Sequence, residues 1–380
     1  MRLLARAVHG ASAEWLNNAR WATAGLAASW RGDYTELVRA FAEHLDDADR
    51  ERQRIAVQAL SRLGPLTAPA ADAMLAQVDR ALAAGRPAYD PGQGGYWLPE
   101  GATFALVSLL ADAGDARILP AVEQVLAGER LPRYPGGLVR RLGPETEPMV
   151  IDAARRCLAA GDTERFHNLA YGWPALAPES MPLLLAALAV AEPDVCDIWA
   201  AGALGPAAAD AVPLLRGLLD AEEPSIVRSA ANALHAIGVD FDELLATYRR
   251  LMTEPWDRHR VVLALTDVGP AEAPLAGLVR EAMADPEDGR WAARALWRIT
   301  GDADAALPVL LDGWRRRHQY PALAECLAEL GPRAAAAEPL LRAELANPRR
   351  ATSEGSSSGI EDDETFLASV RNALGALSCA

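Results

Sequence analysis

Lysine is missing from this sequence: all 37 of its basic residues are arginine. A pyridoxal Schiff base requires a lysine amine, and so does a phosphate-binding P-loop, so the chain belongs to neither enzyme class. Replacement of lysine by arginine is typical of GC-rich coding, and we expect a bacterial source. Selection against lysine modification is the alternative explanation.

Cysteine and long apolar runs are also scarce. No Cys-x-x-Cys pair is present, so neither zinc spacing nor a small disulfide framework is indicated. No apolar run approaches the roughly 18 residues of a membrane span, and Arg6 and His9 interrupt the apolar amino terminus. We therefore expect a cytoplasmic protein without a metal, another cofactor or a membrane contact. The four cysteines are Cys157, Cys196, Cys326 and Cys379.

The charge balance is acidic, with a formal net charge of -15 at pH 7. Most of this excess is carried by residues 151–380. A surface of this sign repels a phosphate backbone unless its arginines gather on one face, so nucleic acid is a disfavoured partner. We therefore expect the binding partner to be another protein or peptide, preferably a basic one.

Aromatic residues make up only 6% of the chain, whereas alanine and leucine raise the hydrophobic content to 51%. Small apolar side chains favour helices that pack closely. The chain is too long for one compact core, so internal repeats are expected. A closing tripeptide recurs along it: Leu63-Gly64-Pro65, Leu142-Gly143-Pro144, Leu176-Ala177-Pro178, Leu204-Gly205-Pro206, Val268-Gly269-Pro270 and Leu330-Gly331-Pro332.

These closing markers have a direct physical meaning. From Gly143 to Gly331 they recur about every 31 residues, which is enough for two short helices and two turns. Glycine enters the left-handed conformation that ends a helix, and the next proline can only open a new one. A second proline follows a few residues later and predicts a kink in the first helix of each pair. These second prolines are Pro69, Pro120, Pro148, Pro182, Pro213, Pro274, Pro308 and Pro339.

The second helix of each pair has a pattern of its own. In SIVRSAANALHAIG, which ends at Gly238, Arg228, Asn232 and His235 lie on a different face from the apolar residues. The small residues of the apolar stripe would let neighbouring helices approach closely. That stripe consists of Val227, Ala230, Ala231, Leu234 and Ile237.

The Ala-Leu-x-x-Leu-Gly-Pro closures and Val-Arg-x-x-Ala second helices resemble HEAT repeats, and the short period is closer to the bilin-lyase type of HEAT-like repeat. The resemblance implies an all-α fold, an α-solenoid superhelix of about ten to eleven HEAT-like helical hairpins in a single array over residues 1–380. We interpret residues 1–32 as an amino-terminal half-repeat or cap, and 85–100 as a loop insertion. Residues 350–363 are predicted to be a flexible loop, and 364–380 a carboxy-terminal capping helix.

Proteins with such repeats bind partners along the concave surface lined by second helices. The resemblance implies that this chain has a binding surface at the same place. Positions about three, six and ten residues before each closing marker lie on one side of the second helix. Over residues 167–298 these positions carry aromatic, arginine and histidine side chains. The predicted binding strip is His167, Tyr171, Trp199, Arg228, Asn232, His235, His259, Trp291, Arg294 and Arg298. In the 85–100 insertion, Tyr89, Tyr96 and Trp97 are candidate loop contacts.

We therefore predict a non-catalytic scaffold that binds a protein or peptide on its concave surface. The alternative is an enzyme acting in that groove, such as a HEAT-like DNA glycosylase or an enzyme of small metabolites. An enzyme would require a compact cluster of ionisable groups across adjacent repeats. The candidate acid–base residues are His167, His235, His259 and Asp257.

Overall fold

The computed structural model describes residues 2–86, 88, 101–128, 142–162, 165, 166, 169, 173–190, 192–253, 258, 261, 262, 270–285, 289–316, 321–351 and 357–378. In these ranges the regular elements are α-helices and short 3-10 segments, and the β pairing is one isolated bridge between Trp30 and Arg349. The chain forms two compact units. Unit 1 is Met1–Leu169 with Ala346–Ala368, and unit 2 is Ala170–Leu345 with Ser369–Ala380.

Unit 1 is built from successive helices joined by short turns. Its amino-terminal segment, predicted as residues 1–32, consists of a complete helix pair, α1 and α2. The helices are α1 Arg2–Val8, α2 Ala13–Ser29, α3 Thr35–Ala42, α4 Arg50–Leu63, α5 Ala71–Ala83, α6 Ala102–Asp112, α7 Leu119–Ala127 and α8 Glu147–Ala159. Of the predicted 85–100 insertion, only residues 85, 86 and 88 belong to the described part of the chain.

Unit 2 continues the same succession of helices. Its helices are α9 Ala177–Leu188, α10 Val195–Leu204, α11 Val212–Gly217, α12 Pro224–Ile237, α13 Phe241–Leu251, α14 Ala276–Ala282, α15 Gly289–Thr300, α16 Ala303–Arg315, α17 Pro321–Leu330 and α18 Glu338–Ala346. The last helix, α19, spans Ser357–Leu377 and contributes residues to both units.

Equivalent helices of successive pairs pack on one another within each unit. In unit 1, α2 contacts α4 and α4 contacts α6; in unit 2, α10 contacts α12 and α15 contacts α17. The predicted apolar stripe of α12 is buried along its length. A Cβ on Gly202 would lie 3.2 Å from the Cα of Ala233, so the small residues do allow a close approach of α10 and α12. Stacked helix pairs of this kind form a helical-repeat solenoid, as the sequence predicts.

The closing glycines end their helices in an unexpected conformation. Gly64 and Gly205 have φ of 51° and 56° with ψ of -118° and -138°. This is not the left-handed helical region that we predict from the sequence but a region open almost only to glycine. Gly238, at the end of α12, does adopt the left-handed conformation, with φ 106° and ψ 20°. Glycine is required at all three positions, for two different backbone paths.

The predicted kink of each first helix needs a correction. After Gly205 the chain forms a 3-10 segment, Gly205–Ala211, broken at Ala208, and α11 then begins with Pro213 in its first turn. Pro69 likewise lies in the 3-10 segment before α5. Proline has no backbone N–H, and the first N–H groups of a helix have no acceptor within the helix, so proline is well tolerated at a helix start. These prolines therefore mark a junction between two helices. Inside their α-helices, as predicted, are Pro182 of α9 and Pro308 of α16.

The described part of the predicted flexible loop 350–363, residues 350, 351 and 357–363, differs from that prediction, and residues 352–356 lie outside the described residues. Helix α19 begins at Ser357, and the side chains of Arg350 and Asp363 are both fully buried. Serine and acidic residues suggested a solvated segment, but Asp363 pairs with Arg31, which lies far away in the sequence. A long-range ion pair of this kind leaves no periodic signal in the sequence.

One run of helix, Val195–Asp220, is long and apolar enough to span a membrane by length and composition alone. The run is not a continuous α-helix, because Gly205 ends α10 and a 3-10 segment follows. Ile198, Leu204 and Leu215 within it are buried in the core of unit 2. Part of its apolar surface is therefore buried by packing between successive helix pairs.

Candidate functional site

The structure describes part of the predicted binding strip. Seven of its ten residues lie in unit 2, on α10, α12 and α15. The acid–base candidate Asp257 and six of the predicted contact residues are outside the described part of the chain. Those six are His167, Tyr171, His259, Tyr89, Tyr96 and Trp97.

Trp199 on α10 is the most exposed of the seven strip residues that the structure describes. Its side chain is 51% exposed, and its indole Nε1 donates a hydrogen bond to Ser229 Oγ of α12 at 3.2 Å. The ring is thus held by the next repeat while much of its surface remains in solvent. Cys196 and Ala203, three residues before and four after Trp199, are exposed on the same side of α10. The arrangement presents an oriented aromatic ring flanked by small side chains.

The α12 residues of the strip contribute mainly to packing. Arg228 is buried, contrary to the exposed position that the helical spacing predicts. Asn232 Oδ1 accepts a hydrogen bond from the Tyr248 hydroxyl at 2.9 Å. The His235 ring meets the Phe241 ring edge-on with 5.5 Å between centroids. These contacts connect α12 to α13, so Asn232 and His235 position the following helix.

The arginines of α15 are paired with acids of the next repeat. Arg294 Nη2 donates to Glu325 Oε2 at 3.1 Å, and Arg298 Nε donates to Glu329 Oε2 at 3.0 Å. Arg298 Nη2 also donates to Glu329 Oε1, which makes that pair bidentate. The guanidiniums that we predict as partner anchors therefore join α15 to α17.

Sequence reasoning missed Glu325 and Glu329, although a signal for them exists. Each acid follows its arginine by 31 residues, which equals the mean repeat interval. The two arginines are four residues apart on α15, and the two glutamates are four residues apart on α17. An opposite charge one repeat later is the pattern expected for a pair that bridges neighbouring second helices. Trp291 lies on the same helix as the two arginines, with the Arg290 guanidinium 5.3 Å from its ring centroid.

Carboxylates surround the amino-terminal ends of α10 and α12. Asp194 accepts a hydrogen bond from the backbone N–H of Cys196 at 2.8 Å, and this bond holds the pKa of Asp194 below its usual value. The group is therefore ionised at neutral pH. Other acidic side chains at these two helix starts are Glu192, Asp197, Asp220, Glu222 and Glu223.

The described residues do not form an obvious catalytic cluster. A hydrogen bond to Asp194 raises the pKa of the Cys196 thiol, and burial raises the pKa of Cys326 to about 12, so neither is an activated nucleophile. No group of three or more His, Cys, Asp or Glu residues suited to a metal ion occurs in the described part of the chain. Arg258, which follows the acid–base candidate Asp257 in the sequence, forms an ion pair with Asp285 at 2.6 Å.

Comparisons with known proteins find solved structures but no sequence family. No family model and no curated protein matches the chain. Importin beta is 13% identical, with 99% of this chain and 57% of that chain covered and a TM-score of 0.39. A Kap95:Nup1 complex is 12% identical over 99% and 57% of the two chains, with a TM-score of 0.46.

The predicted resemblance to bilin-lyase-type repeats also has a structural match. The complex of CpcE and CpcF of phycocyanin lyase from Nostoc sp. PCC7120 is 17% identical and covers 72% of this chain and 92% of that chain, with a TM-score of 0.32. The chain spans 57% of the importin beta chain. Because these TM-scores are below 0.5, the solenoid fold stands on the stacked helix pairs described above.

Proposed function

We propose that this chain is a non-catalytic cytoplasmic scaffold that binds another protein or peptide on the second helices of unit 2. The observation that carries the proposal is Trp199, half exposed and yet held by Ser229 of the neighbouring repeat. Tryptophan is the residue type most often found at the energetic centres of protein interfaces. A ring that is already oriented loses little conformational freedom when a partner covers it.

The surroundings of Trp199 suit a segment of polypeptide chain. The exposed neighbours Cys196 and Ala203 on α10, and Ala236 on α12, are small and leave the indole as the most prominent feature of this surface. A partner could cover the ring without displacing a large side chain. Asn232, already bonded to Tyr248, forms the adjoining part of the surface.

The acidic helix starts favour a basic partner. Glu192 and Asp194 precede α10, and Glu222 and Glu223 precede α12, and all four are exposed. Opposite charges around an aromatic centre increase the rate of association and discriminate between partners. We therefore expect arginine or lysine side chains in the partner on either side of the segment that covers Trp199.

The test compares two tryptophan variants. Trp199→Ala should weaken the complex by about 2 kcal/mol, or roughly thirtyfold in Kd, because a central aromatic contact is lost. Trp15→Ala, which removes an exposed tryptophan from α2 in unit 1, is the matched control and should leave Kd unchanged. Partners are captured from lysate of the source organism, identified by mass spectrometry, purified and titrated calorimetrically against each variant.

Two results would contradict the proposal. One is that no protein is retained by the wild-type chain; the other is that both tryptophan variants bind the captured protein equally well. Association kinetics measured at increasing salt address the charge of the partner separately. A basic partner should associate more slowly as salt screens the acidic helix starts, whereas a rate independent of salt would leave the acidic groups without a role.

A further inference from the structure

A second concave site lies in unit 1, between α2 and α4. It is a groove of about 440 Å³. Two arginines and one tryptophan line it together with amides and carboxylates, and its position on two second helices matches that of the strip in unit 2. The lining residues are Ala13, Glu14, Asn17, Arg20, Trp21, Glu51, Arg54, Ile55 and Gln58.

Arg20 is the unusual member of this group because it carries a buried charge without an anionic partner. Its side chain is only 4% exposed, and its guanidinium donates to Asn17 Oδ1 at 2.7 Å and to Gln58 Oε1. Both acceptors are neutral amides, and Arg20 Nε is buried without a hydrogen-bond acceptor. In the part of the chain that the structure describes, no carboxylate forms an ion pair with Arg20. A buried guanidinium is normally compensated by an anion.

Neighbouring cations increase the positive potential at this point. Burial, followed by the charges of Arg62 and Arg54, lowers the pKa of Arg20. The guanidinium carbons of Arg20 and Arg62 lie 4.7 Å and 4.3 Å from the centroid of the Trp21 ring. The charge of Glu51 acts on the pKa of Arg20 in the opposite direction without reversing the shift, and both of its carboxylate oxygens accept hydrogen bonds from Arg54.

The lining also limits the charge and shape of a ligand. Glu14 and Glu51 lie on the wall of the groove and would repel a doubly charged phosphate more strongly than a singly charged carboxylate. A planar carboxylate matches the fork of guanidinium N–H donors. Trp21 and Ile55 provide an apolar wall for a short aliphatic stem.

We propose that this groove binds a carboxylate carried on a short aliphatic stem, either an acidic peptide side chain or a free small carboxylic acid. The anion lies against Arg20, beside the Arg54–Glu51 pair, and the stem packs on Trp21. The inference is independent of the protein-binding strip in unit 2, because it involves different helices and a ligand of opposite charge.

The experiment follows the Trp21 indole N–H signal, assigned with Trp21→Phe, in NMR titrations of the full chain. The probes are butyrate, a capped Gly-Glu-Gly peptide and inorganic phosphate. Butyrate or the peptide should shift the signal saturably, and the tighter of the two identifies the source of the carboxylate. Arg20→Gln should weaken this binding at least about tenfold, and Arg80→Gln, an exposed arginine of unit 1, should not change it.

A second variant is expected to bind the carboxylate more tightly, a result that misfolding could not produce. Glu14 is exposed in the first turn of α2, and Glu14→Gln should tighten carboxylate binding about two- to fivefold because it removes a repulsive charge. The proposal is overturned by any of three results. They are no saturable shift with either carboxylate, tighter binding of phosphate, or an affinity that Glu14→Gln leaves unchanged.

Discussion

Among single residues, several members of the strip in unit 2 form repeat-to-repeat contacts. Trp199 bonds to Ser229 on the next second helix, and Arg298 bonds to Glu329 one repeat further on. A side chain that crosses to the neighbouring helix sets the separation of the two repeats and also forms part of their common surface. The charged members are therefore poor candidates for free partner anchors, whereas about half of Trp199 remains exposed to solvent.

The Arg298–Glu329 pair should contribute modestly to stability. In a double-mutant cycle with Arg298→Ala and Glu329→Ala, we expect a coupling free energy of about 0.5–1 kcal/mol, because the pair is bidentate but partly exposed to solvent. Urea unfolding of the four proteins measures it. The exposed pair Arg316–Asp312, which lies within one helix turn, is the control and should give about 0.3–0.5 kcal/mol. A coupling near zero would mean that the Arg298–Glu329 pair does not hold α15 and α17 together.

At the scale of elements, the closing glycine determines how one helix pair leads into the next. Gly205 combines a positive φ with a strongly negative ψ, and its neighbour Pro206 opens the 3-10 segment that precedes α11. Space is not the constraint, because a Cβ at Gly205 would meet no atom closer than Ala236 O at 3.7 Å. The requirement for glycine is therefore one of backbone conformation alone.

Gly205→Ala should destabilise unit 2 by about 1–3 kcal/mol, the range for a non-glycine residue in such a backbone region. Gly217→Ala is the matched control: Gly217 has ordinary helical angles, φ -60° and ψ -28°, and open space around its Cα. Alanine there should be neutral or stabilising by up to about 1 kcal/mol. Thermal unfolding followed by circular dichroism compares them, and equal effects of the two substitutions would contradict the conformational argument.

At the scale of the whole molecule, segments from the two ends of the sequence join in unit 1. Asp363 of α19 accepts hydrogen bonds from Arg31, at 2.9 and 2.7 Å, and from Arg350 at 2.8 Å. Arg350 Nε also donates to the carbonyl of Ala27, at the end of α2, at 2.6 Å. Burial would raise the pKa of Asp363, but the hydrogen bonds of Arg31 and Ala351 and the charges of both arginines outweigh it and lower that pKa.

Asp363→Asn should destabilise the protein by about 3 kcal/mol at pH 7, the lower end of the range for a broken buried ion pair, because Arg31 and Arg350 lose this carboxylate while Arg350 keeps its ion pair with Glu364. Since the folded pKa lies below the unfolded value of about 3.9, this stability is complete above that pH and is lost as the pH falls through the folded pKa. The difference between wild type and variant should therefore shrink in acid.

Urea unfolding at pH 7 and in acid measures this dependence. Asp362→Asn, which changes the exposed adjacent residue, should stay within about 0.5 kcal/mol of wild type at both pH values. If the difference in free energy of unfolding between wild type and Asp363→Asn does not depend on pH, the carboxylate charge is not what stabilises the joined segments.

The repeated all-α architecture could be predicted from the amino-acid sequence, because helix-closing glycines, helix-opening prolines and stripes of small apolar residues act over a few neighbouring residues. The same patterns place Trp199, Arg294 and Arg298 on second helices, where the structure has them. The folded structure was needed to show that Arg228 is buried, that the α15 arginines meet Glu325 and Glu329, and that Asp363 pairs with Arg31. Burial and ion pairing depend on which side chains, distant in the sequence, lie close together in the folded chain. Local sequence patterns do not show which of them meet.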